Sequence, residues 1–257
     1  MKAICLHGKP VGNGAQPLIC VPLVGRTPEA IIGEMAVILA KKPDLIEWRV
    51  DFFEAIANPT TVIEIAGRIR KASGHVPILF TCRSVMEGGE PIPIDAAALV
   101  RLYVAVCGSR DVDIIDYELS HPVDELAQLR QISRANDVAM IMSYHNFKMT
   151  PETAILEGKF AEAERLGADI GKVAVMPNSP EDVLTQLGAT WRASEAGSIP
   201  VIGMSMGSLG SVSRMLAGVF GSAVTFAVGD SSSAPGQMPI EDLRIALATV
   251  RRSVLDG

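Results

Sequence analysis

The stretch IGKVAVMP, Ile170 to Pro177, decides the fold. It is short, apolar and β-branched, and a proline closes it, as suits the end of a strand. A run of this kind, without polar alternation, reads as a strand of a parallel sheet buried on both faces. One residue breaks the pattern: Lys172 places an ammonium side chain among isoleucine, alanine and valine.

Working outward, runs of the same character recur along the chain. LICVPLV (18–24), LIEWRVD (45–51), PILFTCR (77–83), VDIIDYEL (112–119) and VAMIMSYH (138–145) precede it, and PVIGMSMG (200–207) and AVTFAVG (223–229) follow. Segments with helical apolar periodicity separate them, and several open on a capping residue followed by proline: Thr27-Pro28, Asn58-Pro59, Thr150-Pro151 and Ser179-Pro180. Eight strand-helix units in 257 residues predict an α/β fold of the (β/α)8 TIM barrel type. Right-handed crossovers then place every helix outside one closed parallel sheet. A doubly wound α/β sheet is the alternative. No linker or low-complexity segment interrupts the chain, so residues 1–257 read as a single barrel domain. The leading MKAICLHGKPVGNGAQP carries Gly12-Asn13-Gly14 and reads as a β-hairpin closing the barrel floor.

Composition narrows the function. The chain is 48% hydrophobic but only 5% aromatic, which predicts an aliphatic core. No apolar run reaches the roughly 18 residues a bilayer span needs, and Met1 to Gly14 lacks the apolar stretch of a signal peptide, so the expected location is cytoplasmic. A net charge of -6 argues against a nucleic-acid or membrane-surface partner, while leaving room for a small anion held by clustered arginines. Cys5, Cys20, Cys82 and Cys107 lack the close spacing of a metal site and read as reduced thiols.

In a barrel, chemistry gathers at the carboxyl ends of the strands. Unusual polar residues lie where those ends fall. Alternation puts Glu47, Arg49 and Asp51 on one face, and Asp116 and Glu118 on another. Arg83 is followed by a loop containing Glu87, and the later ends carry His145, Lys172, Met206, then Arg214 a helical turn on, and finally Ser233 and Gln237. Each has a plain structural reading. Glu47 with Arg49 suits an ion pair, Asp116 and Glu118 suit support of the rim or orientation of the imidazole, and Lys172 alone suits a buried ion pair. The glycines from Gly203 to Gly210 lack the lysine of a P-loop. Convergence at one end of the barrel favours a site.

Alternation lets Lys172 point into the barrel, where burial and neighbouring cations would disfavour its ammonium form. A neutral amine there can attack a ketone to form a Schiff base, and the iminium acidifies the adjacent carbon. His145, one strand away, has the ordinary pKa of a general acid/base.

The stretches EWRVD, TCRSVMEGGE, SYHNF, GKVAVMP, SMGSLGSVSR and SAPGQ, in that order, resemble the type I 3-dehydroquinase family from Ile19 to Ile240. The resemblance implies conversion of 3-dehydroquinate to 3-dehydroshikimate in the shikimate pathway. It implies Lys172 as the Schiff-base lysine, His145 as general acid/base and Glu87 as the carboxylate beside it. It implies Arg214 as the partner of the substrate carboxylate, Glu47, Arg49 and Arg83 as groups for the ring hydroxyls, Met206 as an apolar contact, and Ser233 and Gln237 as a mobile loop over the ligand. A homodimer without metal or organic cofactor is also implied. Pro22 stands where some relatives have serine, which removes a polar contact from that strand. Two other readings remain open: a Schiff-base aldolase of the same barrel type, and a non-catalytic sensor of quinate-like ligands.

Overall fold

The computed structural model describes residues 3–12, 16–231 and 233–255. Each apolar run forms a strand: β3 (Leu18–Leu23), β4 (Leu45–Arg49), β5 (Ile78–Thr81), β6 (Ile114–Glu118), β7 (Ala139–Asn146), β8 (Ile170–Val175), β9 (Val201–Ser205) and β10 (Val224–Phe226). They make one parallel eight-stranded sheet in the order β10-β3-β4-β5-β6-β7-β8-β9. The circle closes between β9 and β10 at a single parallel bridge, Val201 to Ser222, where Ala223 N donates to the Val201 carbonyl at 2.8 Å. There the Ser222 hydroxyl stands in for a ladder partner, accepting from Gly203 N at 3.1 Å.

Helices α1 (Pro28–Ala40), α2 (Pro59–Ser73), α3 (Ala96–Ser109), α4 (Val123–Ala135), α5 (Thr153–Arg165), α6 (Pro180–Ala196), α7 (Gly207–Met215) and α8 (Ile240–Leu255) alternate with the strands. The capping prolines act as expected at α1, α2 and α6, where Thr27, Asn58 and Ser179 accept from the first-turn amides. Thr150-Pro151 does not. Helix α5 begins two residues later, and the Thr150 hydroxyl donates instead to the Met176 carbonyl at 3.0 Å, tying the β7 and β8 loops together.

The N-terminal hairpin is present, β1 (Ile4–Leu6) against β2 (Lys9–Val11), but its turn is His7-Gly8. Both residues have positive φ, 47° and 79°, as a two-residue hairpin turn of this hand requires. Gly12 follows β2, and Asn13 and Gly14 lie outside the described residues. Leu6 and Val11 pack under the barrel against the inward residues Cys20, Leu45, Leu79 and Ile114, so the hairpin does close the floor.

This apolar plug ends abruptly. Two residues further along each strand the inward positions become Glu47, Thr81, Asp116, Ser143 and Lys172 on β4 to β8, but Met204 and Phe226 on β9 and β10. Pro22, buried on β3, sits just above the last pair with β10, Phe226 to Cys20, so its missing N–H leaves no ladder bond unmade there. Among the described residues no helix is long and apolar enough to cross a membrane. Cys20, Cys82 and Cys107 are buried free thiols, and Cys5 is an exposed one.

Candidate active site

The half-polar layer opens into a cavity of about 40 Å³ at the carboxyl end of the barrel. Ten of the residues singled out in the sequence line it, Glu47, Arg49, Arg83, Glu87, His145, Lys172, Met206, Arg214, Ser233 and Gln237, whereas Asp51, Asp116 and Glu118 are buried outside its lining. Phe147, Ala174, Met204 and Phe226 join them, residues whose ordinary side chains gave no signal in the sequence.

Lys172 is 4% exposed, and its surroundings differ from the expectation of neighbouring cations. Its Nζ donates to Asp116 Oδ2 at 2.8 Å and lies 3.6 Å from Glu47 Oε1, with the Phe226 ring centroid 4.8 Å away. The nitrogen thus faces two carboxylates and an aromatic ring rather than cations. Register explains the difference: β6 and β8 both flank β7, and Asp116 and Lys172 meet across it inside the barrel. Asp116 therefore touches the lysine rather than the imidazole or the rim.

The imidazole is held by Glu87. Beyond β5 the chain makes a 3-10 turn, Val85–Glu87, capped by the Ser84 hydroxyl, which accepts from Glu87 N at 3.2 Å. Glu87 Oε2 then accepts from His145 N at 3.0 Å and lies 2.8 Å from His145 Nδ1. Gly88 completes the turn with φ 86°, and a Cβ there would lie 2.2 Å from the Phe147 ring, so the ring can cover this pair only over glycine. Burial, then the charge of Glu118, pushes the Glu87 carboxyl up to about 8. Burial, then Arg83 and Lys172, holds the His145 imidazole well below its ordinary value. Both shifts favour the uncharged forms of the pair.

Arg83 is the electrostatic centre of the polar half. Its guanidinium meets Asp116 at 2.8 Å, Glu118 at 3.1 Å and the Ser143 hydroxyl at 2.9 Å, and lies 3.7 Å from Glu87. Burial opposes its charge, but these carboxylates outweigh burial and raise its pKa. The Tyr103 hydroxyl fixes the backbone around it, accepting from Cys82 N at 2.9 Å and donating to the Asp116 carbonyl at 2.8 Å. Arg49 makes a bidentate pair with Asp51, at 2.8 and 2.7 Å, rather than the pair with Glu47 that the alternation along β4 suggested; Glu47 turns to Lys172 instead.

Arg214, on the last turn of α7, differs. It is 1% exposed, and among the described residues it has no carboxylate within ion-pair reach. Its Nε donates to the Gly236 carbonyl at 3.0 Å and its Nη2 to the Pro235 carbonyl at 3.3 Å. Burial pushes its pKa down to about 10. The 233–237 loop thus lies over the cavity, tied to Arg214 and, through the Ser233 carbonyl at 3.4 Å, to Arg49. Gln237 Nε2 donates to the Ser233 hydroxyl at 3.3 Å within it.

A charged pocket at the carboxyl end of a closed parallel barrel is the arrangement of a (β/α)8-barrel enzyme. Comparison with known proteins narrows this class. The family model for type I 3-dehydroquinase matches residues 19–253, and the chain belongs to that family. It is 51% identical to a 3-dehydroquinate dehydratase of Albidiferax ferrireducens over 256 residues, covering 100% of this chain and 97% of the relative. Its fold matches a crystal structure of 3-dehydroquinate dehydratase from Geobacillus kaustophilus at TM-score 0.95 and 45% identity, covering 97% of this chain and 96% of the other. A type I enzyme from Clostridium difficile, whose structure is described with covalently modified comenic acid, matches at TM-score 0.94 and 35% identity over 98% and 99% of the two chains.

Proposed function

We propose that this chain dehydrates 3-dehydroquinate to 3-dehydroshikimate through an imine at Lys172, within the shikimate pathway. The observation that carries the reading is that the Lys172 amine, the His145–Glu87 pair and an arginine facing no carboxylate line one cavity. The Arg214 fork takes the substrate carboxylate, exchanging loop carbonyls for a charged bidentate partner. Lys172 gives up a proton, and His145, held neutral, is placed to accept it. The amine nitrogen then bonds to the ketone carbon, and loss of the former ketone oxygen as water leaves the iminium. His145 removes a proton from the adjacent C2, the electron pair moves toward the iminium nitrogen, and the C1 hydroxyl leaves with a proton as a second water. Addition of one water hydrolyses the imine and returns the amine, so the net change is the loss of one water. Glu47 and Arg49 face the ring hydroxyls, Met206 faces the ring, and Arg83 holds the acidic side chains in place. The cavity is small because the 233–237 loop covers it, so ligand entry calls for that loop to move, as Ser233 and Gln237 at its ends would allow. We further read residues 1–257 as one barrel domain, acting in the cytoplasm as a homodimer.

The test is chemical capture. Mixing the protein with 3-dehydroquinate, adding borohydride and weighing the product should give a stable adduct that peptide mapping places at Lys172. Lys172→Ala should give none. An adduct on another lysine would overturn the assignment. His145→Ala should slow turnover severely and still permit capture, because imine formation and removal of the C2 proton are separate steps.

A further inference from the structure

Asp116 is 0% exposed and sits between two cations. Its Oδ1 is held from two sides, by Arg83 Nη2 at 2.8 Å and by the Ser143 hydroxyl at 2.6 Å. That leaves Oδ2 aimed at Lys172 Nζ, 2.8 Å away. A carboxylate clamped at one oxygen cannot swing aside when its partner changes its bonding. Glu47 also faces the lysine, but at 3.6 Å, and its Oε1 already accepts from the Thr81 hydroxyl at 3.0 Å. The other titratable neighbours include Cys20 below, His145 on β7, Glu87 beyond β5, Tyr103 on α3, and Glu118, which takes the other terminal nitrogen of Arg83. Among the described residues Asp116 alone thus combines direct contact with the reacting nitrogen and a fixed position.

We infer that Asp116 is the fixed counter-ion of the protonated imine at Lys172, a role that rests on the imine reading above. When the amine and ketone combine and water leaves, the nitrogen keeps one proton, one new double bond to carbon and a positive charge. Removal of the C2 proton needs that charge to persist, since a neutral imine withdraws electrons poorly. In a site this dry, an anion at hydrogen-bond distance favours the charged form strongly. Asp116 also does not compete with His145 for the C2 proton. Burial pushes its carboxyl up, but Arg83 and Lys172 outweigh burial and hold it well below the ordinary range.

Cyanoborohydride delivers hydride to the carbon of a protonated imine and leaves a neutral imine largely unreduced, so capture reports protonation. With 3-dehydroquinate, the wild-type protein should be captured at Lys172 to a constant extent across neutral and mildly alkaline pH. In Asp116→Asn, capture should fall on the alkaline side, with a midpoint lowered by about one to three pH units. Turnover should fall at least about tenfold. Capture by folded Asp116→Asn that follows the wild-type profile overturns the counter-ion role and leaves the imine reading intact. A uniform loss at every pH, accompanied by a lowered melting temperature, overturns it as well, since it marks a structural role only. No capture in the wild type at any pH overturns both readings. Ser143→Ala, which frees one side of Oδ1, should move the midpoint in the same direction by less. Should Asp116→Asn fail to fold, an unchanged profile in Ser143→Ala overturns the proposal.

Discussion

Arg83 and Arg214 are both almost fully buried at one cavity, 3% and 1% exposed, yet their surroundings are opposite. Arg83 is engaged by Asp116, Glu118 and Ser143, and its charge is held by anions of the chain itself. Among the described residues Arg214 meets only carbonyl oxygens and a thioether at comparable range, and burial draws its pKa down. The first has its charge balanced within the fold. The second carries a charge that the fold does not neutralise. A buried cation tolerated without an anion costs stability unless something else supplies the anion. The contrast therefore separates an arginine neutralised by the fold from the one to which the proposed function assigns the substrate carboxylate.

Breaking the first arginine should have the largest effect. Arg83→Met strands three acidic side chains in a dry site and should cost about 3–5 kcal/mol of stability, read as a lowered urea midpoint. An unchanged midpoint would mean that the network contributes nothing to the fold. Arg214→Met should invert the pattern. Losing a charged fork should lower kcat/KM by about 30-fold to 1000-fold, mostly through KM, while stability moves by less than about 1 kcal/mol. Equal losses of stability in the two variants would erase the distinction.

Glu87 sharpens the comparison, because Arg83 reaches it only at 3.7 Å and fails to offset burial. Its carboxyl, raised from 4.5 to about 8, keeps a proton in the native state that the unfolded chain releases between those values. The native state binds more protons there, so this group's contribution to stability falls as pH rises through that window, by up to a few kcal/mol. Glu87→Gln should flatten the slope, which denaturant unfolding at the two ends of the window would measure. A slope unchanged from wild type would place the proton elsewhere. The smallest effect is expected at Gly236, whose φ is 78° and where a Cβ would lie 2.0 Å from the Gly207 carbonyl oxygen. Gly236→Ala should displace the loop that Arg214 holds, at a cost of about 1–2 kcal/mol to the closed state, and slow turnover several-fold with little change in melting. Wild-type turnover would show that the loop need not seat there.

How much of this was readable depended on the range of the interaction. The strands were legible because β-branched runs flanked by capping residues specify local conformation. Thr150-Pro151 misled for the opposite reason: its hydroxyl found the Met176 carbonyl 26 residues away rather than the next turn of its own helix. The hairpin was legible as a unit while its turn was not, since His7 takes a positive φ that a histidine adopts less easily than the later Gly-Asn-Gly would have done. Within the site, His145 and Lys172 stood out by residue type on their strands, and Glu87 through the EGG stretch that carries the family resemblance. Ser143, Thr81 and Phe226 carried no such mark, and only the stacking of inward positions shows what they touch.

Sequence alone determined the alternation of strands and helices, and it determined which side chains point inward, because a period of two needs no knowledge of neighbours. Which inward residues meet was decided by closure and stagger of the barrel, quantities set by pairing along its whole circumference. Hence the lysine was visible in the chain as an ammonium in an apolar strand, whereas its partner Asp116, two strands away across β7, emerged only when the sheet curved round to bring them within 2.8 Å.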